Sequence, residues 1–192
     1  MKKNTLIMFD CFGVISSCVL PTYFRSRFGE TEGYKLERFY CEKGDMGELT
    51  LMDIAVEASK LTGEDPKTLY RDWIEGTVVD PRIRELVLKL KEEYHVVLAS
   101  NAMEDLVEKV FQKHDLYGLF DKIFISYKMK DVKPNISYYQ TIINSYDIKF
   151  DKIIMIDDRT ISLIYVKEIG IEPILFTTFE EVKNRIYEIL DK

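Results

Sequence analysis

Thr5-Leu6-Ile7-Met8-Phe9-Asp10-Cys11-Phe12-Gly13-Val14 is a short apolar run that ends in a carboxylate and a glycine turn. A run of this length, bounded by a turn signal, predicts a strand covered on both faces, the kind found in parallel sheets flanked by helices. Asp10 then stands beyond the carboxyl end of its strand, where the reactive groups of such sheets gather. Asp and Gly are also ordinary turn punctuation, so this stretch alone leaves Asp10 open between a functional and a structural role.

Four more segments repeat the pattern of an apolar strand feeding a polar turn: His95 to Ser100, Lys122 to Ser126, Lys152 to Asp157 and Glu172 to Phe176. Apolar residues at helical spacing predict helices over Pro81 to Tyr94, Ala102 to His114, Ile136 to Tyr146, Ile161 to Ile169 and Phe179 to Leu190. This alternation predicts an α/β fold, a three-layer Rossmann-like core with a five-stranded parallel sheet and right-handed crossovers. It breaks once. Residues 16–80 hold no comparable strand, but helical spacing appears at Tyr34 to Cys41, Leu51 to Leu61 and Pro66 to Glu75, with Thr50 and Asp65 as caps. The expectation is a core domain of residues 1–15 and 81–192 interrupted by an all-helical domain at 16–80. Within the insert, the segment from Glu42 to Glu48 carries two glycines and reads as a solvated helix connection that could also reach a ligand.

The 192 residues, 46% of them hydrophobic, suit one core of common size plus such an insert. A net charge of -6 without a long Lys or Arg block argues against nucleic acid and anionic membrane surfaces as partners. The apolar stretch after Lys2-Lys3 is too short for a signal segment and is broken by Asp10, and no run suits a membrane span, so a cytoplasmic location is expected. Cys11, Cys18 and Cys41 lack paired metal-type spacing and read as reduced thiols, Cys11 as a small core residue. His95 and His114 fall neither at a strand end nor at ligand spacing, and take no catalytic role. Oligomeric state does not follow from the sequence.

Four groups stand at predicted strand ends or just beyond them: Asp10, Ser100-Asn101, Lys133-Pro134 and Asp157-Asp158. In a parallel sheet these ends share one edge, so residues far apart in sequence converge. Each has a structural alternative: a strand-end hydroxyl for Ser100, a helix cap for Asn101, a solvated lysine before a helix-opening proline for Lys133, and a turn for the acidic pair. Together, in this order and spacing over nearly the whole chain, they resemble the four motifs of the haloacid dehalogenase-like hydrolases, which also place a helical cap directly after the first motif.

The resemblance implies an aspartyl intermediate on Asp10, with Ser100 and Asn101 facing the substrate. Lys133 would steady both the nucleophile and the transferred group, and Asp157-Asp158 would supply a metal site. The chemistry agrees, because a carboxylate attacking a phosphoryl group needs a cation and donors that offset the developing charge. Mg2+ suits Asp10, Asp157, Asp158 and the backbone carbonyl of Phe12, an oxygen-only set. The expected reaction is Mg2+-dependent hydrolysis of a small phosphorylated metabolite.

Phosphatases of this family usually carry a second Asp two residues after the nucleophile, where it moves the proton. Here that residue is Phe12, which cannot. The departure implies weak or specialised phosphatase activity, and it keeps two other readings in view. One is a metal-independent 2-haloacid dehalogenase, whose halide leaves unprotonated. The other is a phosphometabolite-binding protein that has lost turnover. Asp157-Asp158 favours the metal-dependent reading, since adjacent carboxylates repel without a cation. Arg159 reads first as a bridge to the acidic pair and second as a group facing an anionic substrate, and Arg25 and Arg27 read as solvated.

Overall fold

The computed structural model describes residues 2–191; Met1 and Lys192, the outer ends of the two expected core segments, lie outside the described residues. The five apolar segments are strands, β1 (Thr5–Phe9), β2 (His95–Ser100), β3 (Lys122–Ile125), β4 (Lys152–Asp157) and β5 (Glu172–Leu175). They form one all-parallel sheet in the order β3-β2-β1-β4-β5. Both faces of the sheet are covered, which is why the strands read as apolar runs and not as alternating ones. Ile7, Phe9, Val96, Leu98, Ile154 and Ile156 face one hydrophobic cluster, while Leu6, Met8, Val97, Ala99 and Met155 face the other.

Helices α4 (Pro81–Glu93), α5 (Glu104–His114) and α8 (Phe179–Leu190) cover the first face. The second is covered by α7 (Ile136–Asn144), through Tyr138, Tyr139 and Ile142, and by two short 3-10 turns, Thr160–Leu163 and Val166–Ile169. Those turns stand where one α-helix is predicted over Ile161 to Ile169. From them Leu163, Val166 and the partly buried Ile169 reach the cluster at intervals of three, the spacing of 3-10 turns, and Gly170 ends the segment at φ 78°.

Between β1 and α4 run α1 (Val19–Asp45), α2 (Leu51–Thr62) and α3 (Pro66–Glu75). α2 begins at the expected Thr50, in a reciprocal cap with Asp53, and α3 at Asp65, which accepts from Thr68 N at 2.8 Å. α1 extends far beyond the helix expected at Tyr34 to Cys41. It is two helices in succession, 19–28 and 30–45, that turn at Gly29 (φ 77°). They cross at Gly33, where a Cβ would stand 2.5 Å from the Phe24 carbonyl oxygen. The break divides the apolar residues between two axes, so no single stripe marks the segment. Among the described residues no helix is long and apolar enough to cross a membrane.

The insert leaves and rejoins the core through paired backbone, Ser17 N donating to Val78 O at 2.8 Å and Asp80 N to Ile15 O at 3.4 Å. Its apolar side chains, including Leu20, Phe24, Leu51, Leu69 and Trp73, join the cluster on the first face of the sheet. One buried hydroxyl adds a polar link. Ser126, which opens the short helix α6 (Ser126–Met129), donates to the Asp45 carbonyl at 2.6 Å and accepts from Ala102 N at 3.0 Å. Ser126→Ala strands both groups in a dry environment, and urea denaturation is expected to show a loss of roughly 1–3 kcal/mol.

Candidate active site

β1 and β4 are neighbours at the point where the strand order reverses, and a crevice forms beyond their carboxyl ends. Asp10 follows β1 directly and is tied to β4 by its N–H, which donates to Ile156 O at 2.9 Å. Asp157 closes β4, its Oδ1 accepting from Arg159 N at 2.8 Å. Lys133 arrives between them from the loop after α6. Its Nζ lies 2.9 Å from Asp10 Oδ1 and 2.5 Å from Asp157 Oδ2, with all three side chains buried.

Asp158 completes the group. Oxygens of Asp10, Asp157 and Asp158 lie within 4.8 Å of one another. The turn after Asp10 makes room for it: the Cys11 carbonyl accepts from Ile15 N and Ser16 N, and Gly13 takes φ 94°. A Cβ at Gly13 would stand 2.2 Å from Asp158 Oδ2, so a side chain there would displace that carboxylate.

Three carboxylates are clustered, and one ammonium pairs with two of them. Burial pushes the Asp10 carboxyl up to about 7, against the pull of Lys133, with Asp157 and Asp158 adding repulsion. Asp158 is raised as well, by desolvation and then by Asp157. Burial opposes the charge on Lys133, but Asp10 and Asp157 override it and hold the ammonium above its usual range. The surplus of negative charge, the all-oxygen donor set and Asp10 Oδ1, which has no hydrogen-bond partner despite its ion pair, fit a divalent cation.

Asn101 does not cap α5, whose cap position is Met103. Its amide grips the Lys133 backbone instead, Nδ2 donating to Lys133 O at 3.0 Å and Oδ1 accepting from Lys133 N at 2.9 Å. The Ser100 hydroxyl is fully buried and makes one long contact, 3.4 Å, to Asn101 O. A cavity of about 380 Å3 opens above Phe12, Asn101 and Lys133, with Asp10 and Asp157 one contact deeper, behind the Lys133 ammonium. A second opening adjoins it and shares Asn101, Lys133 and Arg159.

Arg159 makes no side-chain ion pair with the acidic pair among the described residues. Its backbone N–H holds Asp157, and its side chain lines the cavity. Arg27 pairs at the surface with Glu64, as a solvated residue would. Arg25 instead lines the cavity, its Nε buried without a hydrogen-bond partner. Glu37 and Arg38 of α1, which the sequence did not mark, also face it, as does Asp45, the helix-ending residue of the segment expected to be a connection that could reach a ligand. Only the glycines around Asp45 hinted that this segment makes a close approach.

Burial pushes Asp45 up to about 7, against Arg38, Arg159 and Lys133. Cys11 is the expected buried thiol, held above its usual range by burial and by Asp10. His95 packs against Tyr146 and Phe150, and His114 lies 3.1 Å from Thr77 O, both away from the site.

Residues 45–176 match the family model for haloacid dehalogenase-like hydrolase. Among solved structures, the chain resembles a haloacid dehalogenase (HAD) family enzyme from Bacteroides thetaiotaomicron at TM-score 0.77 and 21% identity, covering 96% of this chain and 98% of that one. That enzyme has also been solved in complex with magnesium and inorganic phosphate, and this form matches at TM-score 0.73 and 21% identity over 93% of this chain and 96% of the other. The L-2-haloacid dehalogenase from Xanthobacter autotrophicus, with chloropropionic acid covalently bound, matches at TM-score 0.64 and 12% identity over 94% and 80% of the two chains. At these identities the likeness is one of fold. A drimenol cyclase from Aspergillus calidoustus is 21% identical over 182 residues, 92% of this chain; the chain spans 31% of that protein's length.

Two outcomes are expected. Gly13→Ala costs roughly 1–3 kcal/mol in urea denaturation, because it combines a disfavoured φ with displacement of Asp158. Asp45 binds a proton more readily in the folded than in the unfolded chain, so its contribution to stability is full below about pH 4 and is lost as pH rises to about 7. The loss is up to about 4 kcal/mol. Asp45→Asn is expected to flatten the measured stability profile across that interval.

Proposed function

Because this chain belongs to the haloacid dehalogenase-like hydrolase family, we propose that it is a Mg2+-dependent phosphatase of a small phosphorylated metabolite, with residues 16–80 acting as a cap over a core of 1–15 and 81–192. The observation that carries this reading is the clustering of three carboxylates at the reversal of strand order, two of them paired with one buried ammonium. The magnesium and phosphate bound by the Bacteroides enzyme support it.

Asp10, Asp157, Asp158 and the Phe12 carbonyl would hold the cation, which would offset charge on the phosphoryl oxygens and the attacking carboxylate. Asp10 attacks phosphorus, the bond to the leaving oxygen breaks, and an aspartyl phosphate forms. Lys133 keeps Asp10 oriented and balances charge as the phosphoryl group transfers. Asn101 fixes the Lys133 backbone and borders the substrate cavity. Ser100, buried at the end of β2, takes a phosphoryl oxygen by turning its hydroxyl from Asn101 O. Water then attacks phosphorus and regenerates Asp10. Arg25, Arg38 and Arg159 give the cavity wall a positive cast suited to an anionic substrate.

Phosphate release from dinitrophenyl phosphate and a panel of metabolite phosphates is expected with Mg2+ and absent with a chelator. Asp10→Asn should lower it by at least about 10³-fold. Chloride release from 2-chloropropionate without metal would replace this reading with the dehalogenase one. Magnesium-dependent phosphate binding with no turnover of any panel member would leave a binding protein.

A further inference from the structure

Hydrolysis through Asp10 needs a group that gives a proton to the leaving oxygen and then takes one from water. The ring of Phe12, which borders the cavity where that group would stand, can do neither. Among the titratable side chains lining the cavity, the arginines stay charged and Lys133 is held as an ammonium. Burial pushes the Cys18 thiol up to about 12 and Cys41 well above its usual range. Tyr34 is half exposed. Glu37 and Asp45 are left, and only Asp45 also lines the adjoining opening, with Asn101 and Lys133.

The fold itself fixes the Asp45 backbone at the wall of the cavity. Its carbonyl accepts from Ser126 Oγ, which accepts in turn from Ala102 N. Ala102 follows Asn101, whose amide grips Lys133, and Lys133 Nζ touches Asp10. The last residue of α1 is thus tied, through a single hydroxyl, to the loop that positions the nucleophile's partner. The side chain is buried at the cavity wall.

We propose that Asp45 is the general acid and base of this site, in the role that position 12 cannot fill. The inference rests on the phosphatase reading above. In the first step Asp10 bonds to phosphorus, the phosphorus–oxygen bond to the leaving group breaks, and the Asp45 carboxylic proton passes to the leaving oxygen. In the second, the Asp45 carboxylate takes a proton from water as its oxygen bonds to phosphorus. The Asp10–phosphorus bond breaks, releasing phosphate, and Asp45 is again protonated. The charged and titratable groups around Asp45 are Glu37, Arg38 and Cys41 from its own helix, Cys18 before it, Arg159 after β4, and Lys133. Burial raises its carboxyl and the three cations restrain the rise, leaving it near 7, where both protonation states are populated at neutral pH.

The test compares phenyl phosphate, whose leaving oxygen needs a proton, with dinitrophenyl phosphate, whose leaving group does not. In Asp45→Asn, steady-state turnover of phenyl phosphate is expected to fall by roughly 10²–10⁴-fold. With dinitrophenyl phosphate, Asp45→Asn should release a pre-steady-state burst of dinitrophenolate at near the wild-type rate of its first step, because only the second step is then impaired. Adding Phe12→Asp to Asp45→Asn should restore turnover. A variant that loses burst and turnover together, or loses neither, overturns the role of Asp45 while leaving Asp10 as nucleophile. A burst or a turnover that survives Asp10→Asn overturns both readings. A readout independent of turnover is the carboxyl 13C titration, in which a resonance titrating near pH 7 should vanish in Asp45→Asn. An Asp45 resonance titrating below pH 5 overturns the proposal.

Discussion

Lys133 is an ammonium buried between two carboxylates, and its position ties the rest of the molecule together. Removing such a charge from water costs several kcal/mol unless its partners are fixed in good geometry. The partners come from the ends of β1 and β4, which lie side by side only because the sheet runs β3-β2-β1-β4-β5. β2 contributes through Asn101, whose two hydrogen bonds hold the lysine backbone. Three strands and one loop must therefore agree before the charge is satisfied. Even then the carboxylates outnumber the cation, which makes the protein site incomplete as a charge balance and receptive to a metal.

Above this polar floor, the helical insert shares a single hydrophobic cluster with one face of the sheet. The cavity is correspondingly two-sided, with Phe12, Asn101 and Lys133 from the core and Leu20, Arg38 and Asp45 from α1. Phe12 keeps its backbone in the turn that follows Asp10, and its ring adds an apolar surface where proton chemistry would otherwise be expected. The acidic groups with neutral-range behaviour sit on both sides, Asp10 below and Asp45 above.

All five strands and most helix limits were legible in the sequence, because burial on both faces writes itself as uninterrupted apolar runs and capped helices announce their starts. Leu51–Thr62 and Pro66–Glu75 follow from Thr50, Asp65 and Pro66. The convergence of Asp10, Lys133, Asp157 and Asp158 was legible for a similar reason, since strand ends of a parallel sheet share an edge. Three things were not. α1 turns at Gly29, so its apolar residues serve two axes. Arg159 acts on Asp157 through its backbone N–H, which any residue possesses, while its side chain turns toward the cavity. Asp45 lies in a segment the sequence marked only as one that could reach a ligand, and it is singled out there by burial and the Ser126 bridge, contacts between segments far apart in the chain.

The register of β1 has a bearing on assembly. Leu6 pairs with His95 and Thr5 with Lys152, so both neighbours of the central strand lie far from it in sequence. Closing such long loops is entropically slow, and non-local pairing of this kind marks topologies that fold slowly. The insert, by contrast, is built from helices close together in sequence, with α2 packed on α3, and can gain structure early. Asp10 precedes Lys133, Asp157 and Asp158 by more than a hundred residues, so its carboxylate lacks both its cation and its acidic neighbours until those segments have been made.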